Sequence, residues 1–442
     1  MYTIEGKYTT ALVTNDNIES EAIQQITDNV NCPAYSGQTI VIQPDAHAGK
    51  NSVIGFCSTV GNYVNPSTVG VDIGCSISMR LYDKPLPDDK KEELNHKLLK
   101  DIGWGFNTSP SKVYDEKELY RFLSREFSKA KSEHPDIFSK LPDTVTEKWI
   151  SDVLKRVGMN EGLWYKSINS VGGGNHYIEY DVNEEASLYG ITVHCGSRNF
   201  GVKVCNYWES KAEQDGLSRK ELKELTRQFK EEYKRTHDSM DDFQDALNNH
   251  IERLKQNSGR IKGFLTGDDM NGYFCDMLFA MAYAKFNHIT IHRTIDSIVV
   301  KYGMKPVRTI ASVHNYIDFS GDTPVIRKGA IRAYRGEEML VPFNMRDGVA
   351  ICDGLSNETW LNSCAHGAGR KMSRSKAKET LSMEEFSKQM DGIYSTTVCK
   401  GTLDESPMAY KDTDEILSLI KETCEVKHLL RPVLNVKATD GA

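Results

Sequence analysis

Short apolar runs broken by Gly, Pro and Asn fill the first part of the chain: ALVT from residue 11, TIVI from 39, SVIGFCSTV from 52 and SISMRLY from 76. Runs of this length, bounded by turn-forming residues, predict β-strands whose breaks carry loops. The pattern changes over residues 86–160, where DDKKEELNHKLLKDI, EKELYRFLSREFSKA and TEKWISDVLKRV follow a helical period. Strand-like text returns over 167–198 in SINSVGGGNHYIEYDV and GITVHCGSR. Residues 218–256 are highly charged and helix-periodic and predict a solvated helical pair. A further helix around 269–302 carries YFCDMLFAMAYAKF and is apolar enough to be buried. The final third reads as strands and loops.

The chain has 442 residues, 39% of them hydrophobic, which is more than one domain usually needs. No repeat or low-complexity linker separates the blocks. The expected architecture is therefore α+β: a single large domain over 1–442 with a β-rich core, intercalated helices and a charged helical insert at 205–262.

Net charge is −7, so no global basic field is available to hold nucleic acid non-specifically. A polyanion would need a local patch or metal ions. Ten scattered cysteines without a CxxC pair point to reduced thiols and a cytoplasmic setting. The N-terminal MYTIEGKYTTALVT has no signal-peptide pattern, and no apolar run approaches the length of a membrane span.

Four polar clusters stand at the ends of apolar runs: PDAH (44–47), VDIGC (71–75), GGGNHYIE (172–179) with VHCGSR (193–198), and VHN (313–315). They offer Asp45, His47, Asp72, Cys75, His176, His194 and His314. Asp72 and Cys75 are three residues apart and can ligate one ion, with imidazoles completing the shell. A mixed carboxylate, thiolate and imidazole set suits a borderline divalent ion such as Mn or Zn. A thiolate can bridge, so two ions sharing Cys75 is a coherent arrangement, and paired metals suit phosphoryl transfer. His288 and His292 have the i, i+4 spacing of a zinc pair, but HITIH lacks the Glu of HExxH, so both are read as structural. No GxxxxGK[ST] occurs, and GGGNH lacks the context of GxGxxG. In LNSCAHGAGRKMSRSK (361–376), small residues around His366 let backbone N–H groups approach a phosphate.

The motifs PDAHAGK, VGVDIGC, GGGNHYIE, HCGSR, VHN, KGAIRAYRGE and HGAGRKMSR, in this order, resemble the RtcB family of RNA ligases from about residue 40 to the C-terminal RPVLNVK. The resemblance implies a GTP- and Mn-dependent enzyme of tRNA splicing or RNA repair. Such an enzyme joins an RNA 3′-phosphate or 2′,3′-cyclic phosphate end to a 5′-hydroxyl end. It makes His366 the nucleophile that forms a covalent histidine–GMP. It also implies one Mn2+ held by Asp72, Cys75 and His176, and a second by Cys75, His194 and His314. The nucleotide would then meet Asn175, Asn315, Gly367, Ala368, Gly369, Pro342, Asn344 and Met345. Glu179 and Lys437 would read the guanine, where a carboxylate accepts ring N–H donors and an ammonium meets the carbonyl. Tyr410 would lie near the base. Asp45, His47, Arg198 and Arg370 fall around the metals or RNA ends.

The chain departs from the family at Pro342, Phe343, Asn344 and Met345, where relatives often carry Pro-Gly-Ser-Met, and at Val349, where a Ser is common. The intact metal set and nucleophile mark a divergent branch that keeps the chemistry. An alternative is a metal-dependent phosphodiesterase or phosphatase using the same dinuclear site without nucleotidyl transfer. The expected partners are RNA ends, GTP and, through the resemblance, an activator protein. Arg370, Lys371, Arg374, Lys376 and Lys378 are read as a local patch for RNA or as a solvated helix face.

Overall fold

A seven-stranded antiparallel sheet carries the chemistry-bearing loops. Its order is Pro306–Val313, Ser76–Tyr82, Leu188–Cys195, Tyr177–Asn183, Cys424–Val436, Val349–Gly354 and Glu338–Pro342. This computed structural model describes residues 1–49, 51–214, 219–236, 239–257 and 260–439; Lys50 of PDAHAGK and parts of the charged insert lie outside them. A second, six-stranded sheet runs Tyr2–Glu5, Thr10–Val13, Ile40–His47, Ile54–Thr59, Val325–Lys328 and Asn315–Asp318, with one parallel pair between Thr10–Val13 and Ile40–His47. Ala330–Arg332 pairs with Ser363–Ala365 in a short ribbon.

The strand SISMRLY shows why the first sheet is buried on both faces. Ile77, Met79 and Leu81 alternate into one apolar cluster with Ile310, Leu340 and Ile351. On the opposite face, Ser76 and Ser78 meet His288 and His292 of the helix Gly267–Val299. Ser76 Oγ lies 3.0 Å from His288 Nε2, and Ser78 Oγ lies 2.8 Å from His292 Nε2. These imidazoles bond to serines behind the sheet, in line with the structural reading of HITIH.

That 33-residue helix spans about 50 Å at 1.5 Å per residue. Its apolar faces pack among other helices, as its composition requires. Tyr283 packs on Trp164 at 4.8 Å and Phe279 on Phe200 at 4.8 Å between ring centroids. The helices expected over 86–160 form as Lys91–Asp101, Glu116–Glu133 and Glu147–Val157. The last has a capping Thr146 whose side chain accepts the Trp149 N–H, and it ends at the left-handed Gly158. The charged pair forms as Arg219–Thr236 and Phe243–Asn257, joined by Phe229 stacked 4.3 Å from His250.

One element corrects the strand reading of the first 80 residues. Ser20–Val30 is a helix, with Ala22, Ile26 and Val30 buried at four-residue spacing. Its few apolar positions sit among polar residues, so the pattern lacked a continuous run, yet they line one stripe. No described helix is long and apolar enough to cross a membrane.

Candidate active site

Sheet register brings the separated motifs together. Val313 pairs with Ser76, Ser76 with Cys195, Ile77 with His194, and Tyr177 with His194. Residues at the ends of four adjacent strands therefore share one rim: His314 after the first, Cys75 before the second, His194 on the third and His176 before the fourth. The ligand atoms of Cys75, His176 and His194 all lie within 4.8 Å of one another. Cys75 Sγ is 3.3 Å from both His176 Nε2 and His194 Nε2, and Asp72 Oδ2 is 2.9 Å from His176 Nε2. The His314 ring follows at 5.2 Å from that of His194, and the His366 ring at 5.0 Å from that of His314.

These residues fit a divalent metal centre. His194 Nδ1 is 3.1 Å from the Asn175 carbonyl oxygen, an outer partner that leaves Nε2 facing Cys75. Nδ1 of His176 and of His314 is buried without a hydrogen-bond partner. Burial and the Asp72 carboxylate hold the Cys75 thiol well above its usual range. Burial, reinforced by neighbouring imidazoles, holds His194 and His314 neutral. Neutral imidazole is the ligating form, and a cation would deprotonate the thiol. A Cβ at Gly196 would fall 2.1 Å from Asp72 Oδ1, so only glycine lets that carboxylate take its place.

His366 follows the strand Ser363–Ala365 and leans on the other sheet. Asp45, fully buried in Ile40–His47, places Oδ2 at 2.6 Å from His366 Nδ1 and accepts the His366 backbone N–H at 3.2 Å. The loop is locked from both sides: the Ala368 N–H donates to the Pro342 carbonyl, and the Lys411 N–H to the Gly369 carbonyl. Lys411 Nζ in turn donates to the carbonyls of Pro44 and Ala46, beside Asp45. Gly369 has φ +70°, and a Cβ there would meet the Asp45 carbonyl oxygen at 2.1 Å.

A cavity of about 390 Å³ joins His366 and the metal cluster to Glu179, Tyr410 and Lys437. Asn175, Asn315, Pro342, Asn344, Met345, Gly367, Ala368, Gly369, Arg370 and His47 also line it. The Asn315 side chain is engaged, donating to the Asp72 carbonyl and accepting the Gly329 N–H. Burial pushes the His47 imidazole down to about 4, against the Asp45 carbonyl at 3.1 Å. Arg198 stands apart from the cavity lining: its guanidinium donates to Ser170 Oγ and the Gly105 carbonyl. Val349 is buried in strand pairing and does not reach the cavity. Asn344 closes its own turn, with Oδ1 accepting the N–H groups of Arg346 and Asp347.

The basic run after His366 is partly tied down by acids. Arg370 and Arg374 pair with the buried Glu405, and Arg374 and Lys378 with Asp404, while Lys371 and Lys376 remain exposed. Glu405 was not singled out in the sequence, where it sits in DESP without a periodic context. Lys328 of KGAIRAYRGE also lines the cavity, its Nζ donating to the carbonyls of Ser52 and Ser67.

The sequence matches a family of RNA ligases: the profile described as tRNA-splicing ligase RtcB covers residues 25–438. The chain belongs to that family. RNA-splicing ligase RtcB of Escherichia coli strain K12 is 28% identical over 95% of each chain. RNA-splicing ligase RtcB2 of a second Escherichia coli strain is 26% identical over 96% of this chain and 94% of its own. The tRNA-splicing ligase RtcB of Nanoarchaeum equitans is 25% identical over 90% and 88%.

Proposed function

We propose that the protein joins RNA 3′-phosphate or 2′,3′-cyclic phosphate ends to 5′-hydroxyl ends, in tRNA splicing or RNA repair, through guanylylation of His366. The observation carrying this reading is the Asp45–His366 contact at 2.6 Å, with His366 in a cavity that Cys75, His194, His314, Glu179 and Lys437 also line. The Asp45 carboxylate beside Nδ1 favours a proton on that nitrogen, which leaves the Nε2 lone pair free. His366 Nε2 then attacks the α-phosphorus of GTP, and pyrophosphate departs. The buried Asp45 carboxylate offsets the positive charge on the modified ring. Splitting the transfer in two is the gain of covalent catalysis. GMP passes to the RNA 3′-phosphate, and the 5′-hydroxyl displaces it to form the phosphodiester.

Asp72, Cys75 and His176 would hold one Mn2+, and Cys75, His194 and His314 the other. Such ions offset phosphate charge and orient the reacting oxygens. Glu179 and Lys437 read the guanine edge, and Arg370, stacked 5.2 Å from the Tyr410 ring, borders the base end. Plain phosphodiester hydrolysis has no use for this base pocket.

Incubation with MnCl2 and α-labelled GTP, followed by a denaturing gel, tests the reading. Acid-labile, base-stable label is expected on the wild type and absent from His366→Ala. Metal-loaded wild-type protein that takes no label from any nucleotide would move the assignment to the phosphodiesterase.

A further inference from the structure

Asn435 stands directly opposite Glu179 across the pairing of Cys424–Val436 with Tyr177–Asn183. Its Nδ2 donates to Glu179 Oε2 at 2.5 Å. The two-residue period of the strand puts Asn435 on the same face as Lys437, and both line the cavity with Glu179. Asn435 is fully buried, and its Oδ1 has no hydrogen-bond partner among the described residues. A buried acceptor left without a donor costs about 1–3 kcal/mol in general, so such an atom at a cavity wall points to a ligand that supplies the donor.

The surroundings of Glu179 say which donor is short of a partner. A guanine edge presents two N–H donors, at N1 and the 2-amino group, beside the O6 acceptor. One Glu179 oxygen is already taken by Asn435. Asp181, two residues along the same face, is in hydrogen-bonding contact with the Glu179 carboxyl and accepts the Thr192 hydroxyl at Oδ2. Burial first, and Asp181 second, push the Glu179 carboxyl well above its usual range. With Asn435 on one oxygen and Asp181 against the other, Glu179 cannot accept from both purine N–H donors. Lys437 Nζ is a donor and serves O6, so the second purine N–H needs another acceptor.

We infer that Asn435 is a base-reading residue, its Oδ1 accepting a hydrogen bond from the purine 2-amino group. The assignment rests on the nucleotidyl-transfer reading above and extends it to a residue neither the motifs nor the family resemblance marked. Asn435 thereby discriminates guanine from hypoxanthine, which lacks only that amino group.

The test compares GTP with ITP, both α-labelled, as donors to His366 in the full-length protein with MnCl2. Wild type should label from GTP at about tenfold lower concentration than from ITP, the size of one neutral hydrogen bond in a desolvated site. Asn435→Ala should collapse that ratio toward unity by weakening GTP more than ITP. Asn435→Leu, close in shape, gives the same comparison if the alanine variant does not fold. Wild type that takes GTP and ITP equally would overturn the Asn435 assignment alone. So would a variant that loses GTP and ITP in equal measure, since that marks a mere prop for Glu179. Wild type that takes label from neither would overturn the nucleotidyl-transfer reading with it.

Discussion

The fully buried carboxylate of Asp45 lies 2.6 Å from His366 Nδ1, while the His366 side chain keeps 17% exposure. The two residues are 321 positions apart and come from different sheets. A carboxylate in that position favours the tautomer with Nε2 unprotonated. Asp45→Asn can present its amide N–H to Nδ1 and favour the opposite tautomer. The His366 guanylylation rate should fall by about 10²–10⁴-fold, as for other carboxylate-supported histidines, with metal content unchanged. A wild-type rate in Asp45→Asn would remove the carboxylate from the mechanism.

Cys75 is the atom on which the ligand cluster converges, 3.3 Å from two imidazoles. Its replacement should impair both metal positions, whereas His314→Ala, at the far end of the imidazole series, should impair one. Metal analysis of protein dialysed against MnCl2 is the check. Cys75→Ala should retain less Mn per chain than His314→Ala. Equal and undiminished content in both variants would contradict the shared-thiolate arrangement.

The parts legible in the sequence were those fixed by local pattern: the strands around Cys75 and His194, the capped helix from Glu147 to Val157 and the buried helix from Gly267 to Val299. The metal-ligating candidates stood out because each falls at the end of an apolar run. Register was not legible, and it is register that sets Ile77 against His194 and Asn435 against Glu179. The role of Asp45 was hidden for the same reason, since it depends on a contact between two sheets. Glu405 was hidden because its partners come from three separate segments. The helix Ser20–Val30 was missed because its stripe is only three residues long.

Acid should destabilise the protein through histidines buried behind the sheet. Burial depresses His288 from an ordinary 6.5 to about 4, against the opposing effect of the Cys195 carbonyl that it contacts. The unfolded chain binds this proton as pH drops through about 6.5, and the folded chain only near 4. Stability is therefore intact above about 6.5, is lost as pH falls toward 4, and levels off below. One such group accounts for about 3 kcal/mol across that window. Urea denaturation in EDTA, which removes metal release from the comparison, should give a shallower slope between pH 6.5 and 4.5 for His288→Asn than for wild type. Equal slopes would show that the imidazole is protonated in the fold.

Glu405 and Asp404 are adjacent buried acids that hold basic residues, yet their replacement should differ. Glu405 faces Arg374 at 3.1 Å, Arg370 at 3.4 Å and Lys437 at 3.8 Å, and Tyr410 donates its hydroxyl to it. Burial raises its carboxyl, but Lys437, Arg374 and Arg370 outweigh that and hold it below its usual range. Lys437 and Arg370 are themselves largely buried, so Glu405→Gln leaves their charges poorly compensated. The cost should be about 3–5 kcal/mol of stability, as for other broken buried pairs. Because Lys437 and Tyr410 line the base pocket, KM for GTP should rise as well. Asp404 contacts Arg374 and Lys378, whose side chains are 40% and 43% exposed. Water can take over these partners, so Asp404→Asn should cost about 1 kcal/mol or less and leave KM near wild type. Thermal melts and GTP titrations of the two variants separate the cases, and equal effects would mean that Glu405 holds its partners no more firmly than Asp404 does.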